Sequence, residues 1–150
     1  MTGGPGDSGI VARMTDHYAR QIAWAEESIR ALDEMNALPM DSDWERVAAD
    51  DARRAAELKA LEAEFFALKK EWDATPAFLP DERNAIRTLV LRSKSLSIEF
   101  QRKLEALTTR LGSAGAAVQE ELGTLRKARD VMQKFASGPP AGGGFVDRRA

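Results

Sequence analysis

From Asp81 to Ala136 inward-facing positions recur at spacings of three and four without losing phase: Ile86, Leu89, Ser93, Leu96, Phe100, Leu104, Leu107, Leu111, Ala114, Val118, Leu122, Leu125, Arg129 and Met132. That period belongs to an α-helix with one apolar stripe, and a strand, with its period of two, cannot carry it. Unbroken, such a helix would reach roughly 84 Å. The weak point is Gly112-Ser113-Ala114-Gly115. Two glycines there cost on the order of 2 kcal/mol of helix propensity and permit a kink. Because the stripe keeps phase across them, a continuous or bent helix is predicted rather than a reversal.

Two shorter helices precede it. Between Ile10 and Ala37 there is no proline or glycine, and Tyr18, Ile22, Ala25, Ile29, Leu32 and Asn36 form one stripe. Pro39 ends that helix, and Asp41 or Ser42 is expected to cap a second one over residues 43–73. Its second half carries Leu58, Leu61, Phe65, Leu68 and Trp72, but the same spacing run backwards meets Arg54 and Asp51. The first half should therefore pack thinly, through Val47 and alanines. Pro76 and Pro80 impose a turn, and Asp81 and Glu82 suit the opening of the third helix.

Heptad-like spacing in helices joined by short loops predicts an all-α fold, an antiparallel coiled-coil bundle of three helices with a long carboxyl-terminal helix. The helical domain spans 1–136. Residues 137–150, rich in glycine and proline, read as a flexible tail. Leu91 and Ile98, seven apart and off the main stripe, predict that the third helix touches neighbours on two sides.

The composition excludes several chemistries. The chain has no cysteine and one histidine, His17, so thiolate chemistry and multi-histidine metal sites are ruled out. Glu57, Glu62, Glu64 and Glu71 share a helix without any Glu-x-x-His pair, and read as solvated face charges. His17 reads as a boundary residue rather than a base. Gly3-Gly4-Pro5-Gly6 lacks the lysine of a phosphate loop and reads as a disordered terminus rather than a signal peptide. No apolar run approaches the roughly 20 residues of a membrane span, so a cytoplasmic protein is expected. No catalytic, cofactor or metal site is expected, and the chain reads as a non-enzyme.

Charge is unevenly spread. Residues 1–50 hold 4 basic and 10 acidic side chains, whereas residues 101–150 hold 9 and 5. Acidic Asp41, Asp43 and Glu45 at a helix start, and basic Arg126, Lys127, Arg129 and Lys134 near a helix end, suit the helix dipole. The net charge of −2, with no aromatic interleaving among those basic residues, argues against nucleic-acid binding.

Two short helices can cover only half of one twice as long. Val118, Leu122, Leu125, Met132 and Phe135 should then leave several hundred Å² of apolar surface in water, a size that marks an interaction site. Covering about 400 Å² offers on the order of 10 kcal/mol gross, enough for a specific partner helix. Two other arrangements would cover the same row: a fold-back at Gly112–Gly115 completing a four-helix bundle, or a homodimer.

The helix running into Leu125-Arg126-Lys127-Ala128-Arg129, then Phe135, a Gly/Pro-rich linker and the ending Phe145-Val146-Asp147-Arg148-Arg149-Ala150, resembles the flagellar export chaperones of the FlgN and FliT type. The resemblance covers about the last 70 residues in pattern and the last 30 in motif. It implies a cytoplasmic type III secretion chaperone without a cofactor. Such a chaperone binds a hook-associated or filament-cap protein and delivers it to the export apparatus. Carried onto this chain, the resemblance places partner contacts on Val118, Leu122, Leu125, Met132 and Phe135, with Arg126 and Arg129 at the rim. The family pattern has a tyrosine where Phe135 stands. The rival reading is a structural coiled-coil adaptor or self-associating bundle with no secretion role.

Overall fold

The computed structural model describes residues 7–112 and 114–138, and these form four α-helices: α1 (Asp7–Asn36), α2 (Trp44–Ala74), α3 (Pro80–Leu111) and α4 (Ala116–Ala136). Gly3–Gly6 and the tail from residue 139 onward, with its Phe145 to Arg149 ending, lie outside the described residues. No helix among the described residues is long and apolar enough to cross a membrane.

The expected count of three helices is corrected to four, because the long third segment stops at Leu111 and reverses. The reason lies in what phase can report. A row that stays in register across a break faces inward whether the chain continues or doubles back. The alternatives differ in exposure, since a straight helix would leave five large side chains wet. Burying them is worth on the order of 10 kcal/mol gross, several times the cost of a short turn. Gly112 makes the turn feasible: a Cβ there would lie 2.8 Å from the Thr108 carbonyl oxygen. Gln119 closes it, its side-chain amide donating to the carbonyls of Gly112 at 3.0 Å and Leu111 at 3.3 Å, which α3 leaves without helical partners.

The other boundaries also follow local chemistry. Asp43, rather than Asp41 or Ser42, caps α2, accepting from the Arg46 amide at 3.2 Å. At α3, Pro80 opens the first turn and Glu82 reaches back to the Leu79 amide at 2.8 Å.

α1 packs against α2 and α3, and α4 packs against the same two. Arg13 of α1 pairs with Glu71 near the end of α2, and the Trp24 indole donates to the Arg54 carbonyl at 2.9 Å, so these helices run in opposite directions. Arg92 meets Glu26 at 2.8 Å and Lys103 meets Asp33 at 2.6 Å, so α3 runs alongside α1 in the same direction. Gln133 meets Gln101 at 3.2 Å, which places α4 against α3 in the opposite sense.

Side chains from all four helices meet in one core, among them Ile10, Tyr18, Leu32, Trp72, Ile86, Phe100, Leu107, Leu122 and Phe135. Two expectations are overturned on the way. His17 is fully buried rather than a boundary residue, and Leu91 and Ile98 are 57% and 56% exposed rather than packed on a neighbour. The buried face of α1 is wider than its single stripe, and that of α3 is narrower than the extra pair suggested. α1 lies against two helices and buries His17, Gln21 and Ser28 as a second row, whereas the outward face of α3 meets no helix.

Candidate partner-binding site

The seven residues expected to bind a partner lie on α4, and the structure uses five of them as core. Val118, Leu122, Leu125, Met132 and Phe135 are all buried, Leu122 completely, so the prediction of an uncovered row is corrected. Arg126 and Arg129 sit at the half-buried edge, and Arg129 pairs with its neighbour Asp130 at 3.2 Å. α2 and α3, folded against α4, supply the cover that a three-helix arrangement lacked.

The two ends of α4 are held by different chemistry. At the carboxyl end the Phe135 ring meets Phe65 edge-on at 5.1 Å and His17 at 5.9 Å, and its carbonyl accepts from the Tyr18 hydroxyl at 2.9 Å. Lys134 reaches Glu62 of α2 at 2.7 Å. His17 is locked in place: Nε2 donates to the Leu61 carbonyl at 2.8 Å, and Nδ1 accepts from the Gln21 amide at 2.7 Å. Burial pulls its pKa below the ordinary 6.5, which keeps the ring neutral. With both nitrogens engaged it is a packing and hydrogen-bonding residue, not a poised base.

The amino-terminal half of α4 meets charge instead. Asp51 and Arg54 fall on the backward projection of the α2 stripe and do turn inward, 4% and 8% exposed. Arg54 binds Asp51 Oδ1 through Nη2 at 2.8 Å and Nε at 3.2 Å. Across the seam Glu121 of α4 is 3% exposed. Burial, with the hydrogen bond to Asp51 and its negative charge, pushes the Glu121 carboxyl up to about 10. A carboxyl so shifted holds its proton at neutral pH. Asp51 Oδ2, Glu121 Oε2 and Ser28 Oγ are buried with no hydrogen-bond partner among the described residues. A void of about 10 Å³ adjoins Ser28 and Asp51, lined also by Trp24, Arg54, Phe100 and Thr124.

Beside this seam a shallow groove of about 300 Å³ opens between α2 and α4, lined by Ala55, Leu58, Lys59, Glu62, Thr124 and Val131, among others. Four glutamates of α2 are spent on ion pairs: Glu57 with Arg53, Glu62 with Lys134, Glu64 with Arg20 and Glu71 with Arg13. Among the described residues no group of three or more His, Cys, Asp or Glu could hold a metal ion.

Asp51, Arg54 and Glu121 were the residues that sequence reasoning missed as a unit. The signal was available on α2, where two charged residues interrupt an apolar stripe. On α4, Glu121 falls between Val118 and Leu122 at inward-facing spacing. Comparison with protein-family models, with curated proteins and with solved structures finds no match.

Proposed function

We propose that this chain is a non-enzymatic helix-binding protein of the flagellar export chaperone kind, acting in the cytoplasm on a hook-associated or filament-cap protein, with α4 as the exchangeable element. The proposal keeps the coiled-coil packing expected from the heptads, antiparallel in the α1–α2 and α3–α4 pairs and parallel in the α1–α3 pair. It changes how the α4 row is used: the row is sheathed in the free protein and becomes available when a cargo helix competes for its place. Delivery to export-apparatus components belongs to the same reading.

One observation carries it: Glu121 of α4 and Asp51 of α2 are both buried in the α2–α4 seam, 3% and 4% exposed, and each has a carboxyl oxygen without a hydrogen-bond partner among the described residues. A buried acid that must hold its proton to stay in place makes α4 a poorer tenant of that seam than an amphipathic helix with an apolar residue there. α4 is also the shortest helix, 21 residues against 30 to 32, and its first turn has no side-chain cap.

The test clamps α4. Cysteines replace Glu62 and Lys134, whose side chains meet at 2.7 Å, and a short bis-maleimide joins them. The natural chain has no cysteine, so the link is unique. Terminal segments of the hook-associated and filament-cap proteins should bind the open protein and lose about tenfold or more in affinity on clamping. Equal binding by clamped and open forms, or no binding by either, refutes the proposal.

A further inference from the structure

The geometry points to the outward face of α3, centred on Leu91 and Ile98, as a docking surface for an acidic amphipathic helix of another protein. This surface goes beyond the proposed exchange of α4 and does not depend on it. Leu91 and Ile98 are more than half exposed, while the residues α3 buries, such as Val90, Ser93 and Ser97, lie on the other side of the helix. Arg87, Leu91, Lys94, Ile98 and Arg102 follow one another at spacings of 4, 3, 4 and 4, so they form one stripe. The stripe runs roughly 22 Å, or about four helical turns.

Its charge identifies the occupant. Arg87, Lys94 and Arg102 make no ion pair or hydrogen bond among the described residues, whereas Arg92 and Lys103, off the stripe, reach across to Glu26 and Asp33 of α1. Three uncommitted cations therefore interleave two apolar side chains in heptad register. Glu105, hydrogen-bonded to Gln101, marks the end of the run. A helix with two apolar residues seven apart can lay them beside Leu91 and Ile98, and its flanking carboxylates then meet the cations.

The other occupants from this chain fit poorly. A second copy docked through the same stripe sets cations against cations. The exposed aromatic elsewhere on the surface, Phe66, has the Lys70 ammonium 4.7 Å from its ring centre, which repeats the conflict. The carboxyl-terminal tail carries Arg148 and Arg149 against Asp147 alone.

The test titrates the full chain with a labelled helical peptide that has leucines seven apart flanked by glutamates, alongside the same peptide with lysines for glutamates. The glutamate peptide should bind, the lysine peptide should not, and added salt should weaken binding. Leu91→Ser with Ile98→Ser should weaken binding by about tenfold without changing the melting curve, since both positions are exposed. Reversing Arg87, Lys94 and Arg102 to glutamate should transfer binding to the lysine peptide. A photo-crosslinker at Ser95, beside the stripe, should capture an acidic amphipathic segment in the native host. Equal affinity for both peptides, indifference to the serine pair, or a crosslink to a segment without that character overturns the proposal. So does a dimer seen by light scattering that the serine pair dissolves, or capture by anionic lipid vesicles in place of the peptide.

Discussion

Glu121 shows how one side chain sets the conditions under which the bundle is stable. Its folded pKa, pushed up to about 10 from an ordinary 4.5, means that folding takes up a proton at neutral pH. The stability it contributes is fully present below about 4.5 and is lost as pH rises toward 10. His17 acts in the opposite sense. Its lowered pKa makes acidification below 6.5 destabilising, because the unfolded chain then binds the proton more readily. Urea unfolding should therefore show an unfolding free energy that falls from pH 7 to pH 9, by up to about 1.4 kcal/mol per pH unit. Glu121→Gln, a neutral side chain of the same shape that does not titrate, should flatten that slope; an unchanged slope would mean that Glu121 is not the titrating group. Tyr18→Phe removes the donor from the Phe135 carbonyl at the other end of α4 and should cost about 1 kcal/mol in the same assay.

At the scale of elements the turn between α3 and α4 decides the architecture. Gly112 stands where a Cβ would press the Thr108 carbonyl, whereas nothing lies within 4 Å of a Cβ on Gly115. Gly112→Ala should therefore lower stability by about 1–2 kcal/mol. Gly115→Asp, which supplies the missing cap and a negative charge at the start of α4, should raise it by about 0.5–1 kcal/mol. Thermal melts of the two variants shifting in the same direction would contradict this account of the turn. The helices themselves were legible, because Pro39, Pro80 and the period of three and four locate α1, α2 and α3 closely. The reversal was not, since an inward-facing row keeps its phase through a hairpin. The polar half of the α2–α4 seam was half legible: Asp51 and Arg54 stood on the stripe, but Glu121 lies 70 and 67 residues further along the chain.

For the whole molecule, folding back α4 converts an apparent docking row into core and moves the exposed apolar surface elsewhere. Among the described residues five large hydrophobic side chains remain substantially exposed, Met40, Phe66, Leu79, Leu91 and Ile98, and none belongs to α4. Leu122→Asp should accordingly unfold or severely destabilise the bundle, by about 3 kcal/mol or more, instead of removing partner binding from an intact fold. Circular dichroism of that variant separates the two outcomes. A well-folded Leu122→Asp protein would restore the uncovered-row picture.

The sequence by itself determined the helical character, the positions of most helix ends and the inward face of each helix, because spacing, proline, glycine and capping residues act over a few positions. Only the tertiary structure decided which faces found partners. Whether Leu122 is core or docking surface, whether His17 is wet or dry, and whether Glu121 holds a proton all depend on what lies across the seam. Residues far apart in the chain supply those neighbours, and the burial they impose sets the electrostatic cost of each charge.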